Sequence, residues 1–183
     1  MNESTHEACV AEKTHITYKT YLLPPRVWVP NNRKLPAVVY RHALPHANGD
    51  LTRCFEVLFE RNHWMPCGRR AIFDDHQFHS SAHEVLGIAS GVAEVILGGP
   101  DASIVELEAG DAMLLPAGTG YCLHSYAGCL HVVGACPAGQ QWDVRRDAPT
   151  ADELAAMESL PFPASDPVLG DHGPVVELWM KAA

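Results

Sequence analysis

The sequence predicts an all-β barrel or sandwich carrying two short helices, and three observations lead to it. From Arg69 to Cys136, Gly and Pro cut the chain into short apolar segments whose close spacing suits the strands of a closed or stacked sheet. Helical start signals occur at Asp50 and Thr150, one on each side of that region. The 183 residues, 47% hydrophobic and 19% charged, have ordinary globular composition and are enough for one domain with a sizeable core.

Each element has its own signal. Residues 1–15 are polar and without periodicity, which predicts a flexible N-terminal tail ahead of a single domain over 16–183. Thr17 to Leu23 and Ala37 to Ala43 are rich in β-branched and aromatic residues and bounded by Pro24, Pro25, Pro36 and Pro45, so they read as strands or extended arms. Leu51, Phe55, Leu58 and Phe59 recur at helical spacing; Asp50 therefore caps a helix through Arg61 whose stripe packs on the barrel exterior. The barrel core, about 69–147, offers strands at Glu84 to Ser90, Val92 to Leu97, Ile104 to Leu107, Ala112 to Leu115, Tyr121 to Tyr126 and Leu130 to Cys136. Thr150 and Glu153 form a capping box opening a helix to about Ser159. The rest of the C-terminal helix and arm, 150–183, runs through an extended PFPASDP segment to Val175 to Trp179, read as a final strand open to a partner.

Bulk properties exclude several functions. A net charge of −9 and basic residues adjacent only as Arg33-Lys34, Arg69-Arg70 and Arg145-Arg146 leave no footprint for nucleic acid or an anionic membrane. The N-terminus lacks the basic and apolar regions of a secretory signal, and no apolar run approaches membrane-spanning length, so a cytoplasmic address is expected. Six cysteines without a C-x2-C pair suggest neither a disulfide scaffold nor structural zinc. Cys9, Cys54, Cys67, Cys122, Cys129 and Cys136 read as mostly reduced, with Cys122, Cys129 and Cys136 as small buried side chains near the pocket.

The chemistry concentrates in HQFHSSAHEVLGIASG, His76 to Gly91, and GDAMLLPAGTGY, Gly110 to Tyr121. His79, Glu84 and Gly91, then Gly110, Pro116 and Gly118, resemble the two signature motifs of the cupin superfamily in residue type and in spacing. Gln77 stands where the first motif has another histidine, Ala71 where it opens on glycine, and Tyr121 and Ser125 where the second has histidine and asparagine. TYLLPP, VPNN-x-x-LP, VVYR, SSAHEVLG, LGGPD, LPAGTG and VVGACPAGQQWD further resemble the YjlB-like group of small single-domain cupins, over most of Thr20 to Asp147. The resemblance implies a double-stranded β-helix, the jelly-roll barrel, and a homodimer. It also implies a site where intact members hold iron, manganese, nickel or zinc through three imidazoles and a carboxylate.

Strand alternation puts Gln77 and His79 on one face, and the resemblance brings Glu84 and Tyr121 to the same barrel mouth. Three functions remain open for this set. In the first, His79, Glu84 and Tyr121 are catalytic. A buried carboxyl touching an imidazole exchanges a proton near neutral pH, and a phenol serves an enolate oxygen, as in isomerisation, dehydration or cyclisation of a carbonyl-bearing metabolite by a lyase or isomerase. In the second, Gln77, His79, Glu84 and Tyr121 hold a divalent metal for an oxygenase or isomerase, although a neutral amide is a weak ligand and Tyr121 must shed a proton whose ordinary pKa is about 10. In the third, the barrel binds a small metabolite without turnover, or His79 and Glu84 merely satisfy each other. Alternation turns His83 and His124 outward; His131 is a possible pocket residue, its facing dependent on register. Gly87 and Ala89 read as small residues keeping the cavity open, and Trp28, Trp64, Trp142 and Trp179 as rim and core packing.

Overall fold

In the computed structural model the described residues are 16–44 and 50–182, side chains of 68–70 excepted; the expected tail at 1–15, with Cys9, and the bounding Pro45 lie outside them. The strands are β1 (Thr17–Tyr21), β2 (Ala37–Arg41), β3 (Trp64–Arg70), β4 (Glu84–Leu97), β5 (Ser103–Glu108), β6 (Ala112–Leu115) and β7 (Tyr121–Pro137). The helices are α1 (Leu51–Arg61) and α2 (Ala151–Glu158). All pairings are antiparallel, in the order β1-β2-β6-β4-β7-β3 with β5 added to β4, and the sheet curls into a half-barrel. The all-β expectation holds.

Curling gives the sheet two dissimilar faces. Val39, Leu86, Ile88, Val95, Leu97, Met113 and Tyr121 fill the concave interior. Val38, Tyr40, Val85, Ala89 and Leu114, one residue out of phase, face outward and are covered by Phe55 and Phe59 of α1 and by Trp179. Asp50 caps α1 by accepting from the Thr52 amide at 3.0 Å, and Cys54, Phe55, Leu58 and Phe59 form the buried stripe. Gly87 belongs to this helix contact and not to the cavity, because a Cβ there would lie 2.5 Å from the Phe55 ring. The Thr150–Glu153 capping box opens α2.

Four expectations about elements are corrected. Glu84 to Ser90 and Val92 to Leu97 are one long strand, as are Tyr121 to Tyr126 and Leu130 to Cys136. The β4–β7 ribbon bends at Gly91, which adopts φ 78° with the Ala127 carbonyl 2.9 Å from where a Cβ would sit. β3 was not foreseen: Pro66 and Gly68 disguise it, and it tolerates them because among the described residues it pairs with β7 alone, across a register shift between Pro66 and Arg69. Val175–Trp179 is a wide helical turn, not a strand. Pro174 enters it with helical backbone angles, and burial of Val175 and Trp179 overrides their β propensity.

The segment around that turn is a strap across the outer face. Asp166 accepts from the Tyr40 hydroxyl at 2.7 Å and from the amides of Val168, Leu169 and Val175, and burial pushes its carboxyl up despite these bonds. The Trp64 and Trp179 indoles donate to the carbonyls of Ser165 and Pro36, each at 3.0 Å. Cys67, Cys122, Cys129 and Cys136 are thiols, but Cys129 is exposed and Cys54 is disulfide-bonded, both against expectation. Among the described residues no helix is long and apolar enough to cross a membrane.

Candidate active site

The site is assembled from three pieces of backbone. Gln77 and Tyr121 exchange amide–carbonyl bonds of 3.1 and 2.9 Å, and Phe78 does the same with Arg145 at 3.1 and 2.9 Å. Alternation along this stretch turns Gln77 and His79 inward and packs Phe78 outward against Ala117 and Met157. Glu84 opens β4 in phase with the interior Leu86 and Ile88, and Tyr121 opens β7 opposite Leu97. The four side chains meet, and none is more than 5% exposed.

Their hydrogen bonds define a wiring. Tyr121 Oη donates to Glu84 Oε2 at 2.7 Å, while His79 Nε2 lies 2.9 Å from the same oxygen and 3.2 Å from Tyr121 Oη. His79 Nδ1 contacts the Asp143 carbonyl, which only accepts, so Nδ1 carries a proton. A bare Nε2 would then set its lone pair against the carboxylate. A proton between Nε2 and Oε2, on either partner, removes that repulsion within the buried cluster.

Asp143 was missed as a site residue. Its carboxylate accepts from the amides of Ser80 and Ser81 at 2.7 and 3.2 Å and from both hydroxyls. Burial works to raise this carboxyl, but the bonds from Ser80 and Ser81 outweigh it and hold it below its ordinary value. The Trp142 ring stands edge-on to His79 at 5.9 Å, so residues 141–143 roof the cluster. The signal existed in two serines beside His79 and an acid downstream, but they lie 63 and 62 residues apart from it and no local pattern joins them.

Other candidates fall away from the cluster. His131 is exposed on the strand beyond the β7 irregularity, opposite Ser90, and does not enter the interior. His124 is exposed. His83 does turn away from the interior, yet it is 1% exposed, buried beneath the strap with its ring 5.0 Å from Trp179, and burial lowers its imidazole to about 4. A cavity of about 510 Å³ borders His83 and does not reach the buried cluster.

The donor set does not fit a tightly held first-row metal ion. Arg146 Nη2 donates to Gln77 Oε1 at 3.4 Å, which turns the amide nitrogen toward Tyr121 Oη, also at 3.4 Å, and leaves no amide oxygen facing the cluster. Tyr121 keeps its proton for Glu84. Among the described residues one imidazole and one carboxylate of this cluster remain as strong donors, short of a three- or four-ligand site.

A half-barrel jelly roll with a polar cluster at its inner mouth is the class of protein that fold and site define. The chain is 32% identical over 165 residues to the uncharacterized protein YjlB of Bacillus subtilis (strain 168), covering 89% of this chain and 97% of that one. This chain belongs to the YjlB-like family. No family model matches it. Among solved structures it is similar to a cupin 2 domain-containing protein from Halorhodospira halophila, at 15% identity and a TM-score of 0.28, covering 82% of this chain and 81% of that one. An 11S globulin from Wrightia tinctoria gives 13% identity and a TM-score of 0.33, with 79% of this chain on 30% of that one. The likeness to the Streptomyces albus enzyme HEPD stands at 11% identity and a TM-score of 0.27, over 80% of this chain and 28% of that one. At these values the structural likenesses assign neither residues nor a reaction.

Proposed function

We propose that this protein is an enzyme of small-molecule metabolism using acid/base chemistry at His79, Glu84 and Tyr121, in the lyase or isomerase class. The supporting observation is the buried trio spaced 2.7, 2.9 and 3.2 Å apart. A carbonyl-bearing metabolite displacing part of this network presents its α-proton to Glu84 and its developing enolate oxygen to the Tyr121 hydroxyl. His79, pinned through Nδ1 by Asp143 and carrying the shared proton at Nε2 while Glu84 is ionised, donates that proton at the position that completes an isomerisation, dehydration or cyclisation, and Glu84 then passes the abstracted proton back to Nε2. Entry requires the roof of Gln141, Trp142 and Asp143 to lift. Turnover screened over carbonyl metabolites should fall about 100-fold or more in Glu84→Gln and His79→Gln; unchanged turnover in either rejects the assignment.

A second reading draws on the closure of the cluster, in which Gln77, His79, Glu84 and Tyr121 bond to one another. Under it the barrel binds a metabolite without turnover, and the same screen finds binding but no product. We further propose a homodimer, because β1 is exposed and, among the described residues, pairs on one side only, which sedimentation would test. A cytoplasmic address rests on tail composition, and the disulfide at Cys54 weighs against it. Alkylation of thiols in protein taken directly from cells decides between them.

A further inference from the structure

A second compartment lies outside the barrel. A cavity of about 510 Å³ separates the 25–35 segment from α2, a volume within the range of small-molecule pockets, about 300–1,000 Å³. Its apolar lining includes Trp28, Ala117, Met157 and Leu160, which pack together with the buried Phe78. Two polar features break this lining. The first is His83, set back in the wall: its Nδ1 accepts from the Ala117 amide at 3.0 Å, so the ring proton resides on Nε2, and that N–H has no acceptor among the described residues. The second is the rim, where the exposed Arg33 and Lys34 make no ion pair among the described residues, in a chain whose net charge is −9. Glu158 stands on the same rim and leaves it one positive charge in excess.

A buried donor without an acceptor is rare in folded proteins, and exposed cations beside an apolar hollow match an amphipathic acid. We infer that this cavity binds a small apolar carboxylate carrying an oxygen acceptor, with the carboxylate at Arg33 and Lys34, the body on Trp28 and Met157, and the oxygen taking the His83 N–H. The site is separate from the cluster of His79, Glu84 and Tyr121, and it stands or falls independently of any turnover there.

The test uses the full chain and 3-benzoylpropanoate, an aryl ketone acid, as probe, with 4-phenylbutanoate as the analogue lacking the ketone oxygen. Calorimetry should give saturable one-to-one binding. Arg33→Gln with Lys34→Gln, both exposed and outside the core, should weaken it about tenfold, and Leu154→Trp, which fills the cavity from the partly exposed face of α2, should abolish it. The ketone should bind more tightly than 4-phenylbutanoate in the wild type, and that preference should vanish in His83→Phe. Where His83→Phe fails to fold, the His83 ring resonances of the wild type serve instead, shifting with the ketone and not with the analogue. Absence of saturable binding, binding indifferent to both the rim and Leu154→Trp variants, or a probe displaced as the chain self-associates would each overturn the inference, the last showing that a second copy occupies the cavity.

Discussion

At Tyr121 a single hydroxyl decides how the buried cluster is wired. It donates to Glu84 and receives from the Gln77 amide, so Tyr121→Phe leaves two buried groups short of a partner. Urea unfolding should register a loss of about 1–3 kcal/mol, and a matching pair of variants at Glu84 should show non-additive losses. Gln77→His with Tyr121→His supplies the two imidazoles that the motif positions lack; elemental analysis after chelator dialysis should find a retained divalent ion in that variant and none in the wild type. His83 governs a pH effect. Its folded value of about 4 lies below the ordinary 6.5, so the unfolded chain binds more protons between the two and stability rises with pH across that window. The contribution is present in full above about pH 6.5 and is lost as pH falls toward 4, by about 3 kcal/mol from the size of the shift. His83→Gln should flatten this slope in unfolding titrations, and an unchanged slope would place the titrating group elsewhere. At this scale the sequence was most informative where motif spacing fixed partners, as for His79 with Glu84. It was silent on Asp143, whose serine partners lie in another segment, and it left His131 to a register that the β7 irregularity decides.

Among the elements, α1 and α2 were legible because caps and apolar spacing are local, and Asp50 and Thr150 act where their neighbours lead one to expect. β3 and the Val175–Trp179 turn were not, because an edge position excuses Pro66 and a buried tryptophan outweighs β-branched neighbours. The contact between α1 and β4 leaves no room at Gly87. Gly87→Ala should cost about 1–3 kcal/mol through displacement of Phe55, measured by thermal unfolding, whereas a residue that only enlarged a cavity would tolerate the methyl group. The roof over the cluster depends on Asp143 and its serines. Asp143→Ala should raise backbone hydrogen exchange across residues 140–146 while leaving α1 protected, and equal protection in both proteins would show that the carboxylate does not hold the roof.

Over the whole molecule, a half-barrel is closed on its convex side by α1 and by a strap that Asp166 ties to Tyr40. The curl was legible from alternating strands and from the two motifs. The strap was not, because its anchors join residues 126 positions apart in Tyr40 and Asp166 and 143 apart in Pro36 and Trp179. Asp166→Ala leaves the Tyr40 hydroxyl and three amides to find new acceptors and should cost about 3 kcal/mol or more, with exchange rising first over residues 165–180. His83 and Glu84, consecutive in the chain, look into different chambers through a partition one strand thick. The two chambers thus share a wall whose thickness is a single backbone, so neighbouring side chains along one strand serve compartments that do not open into each other.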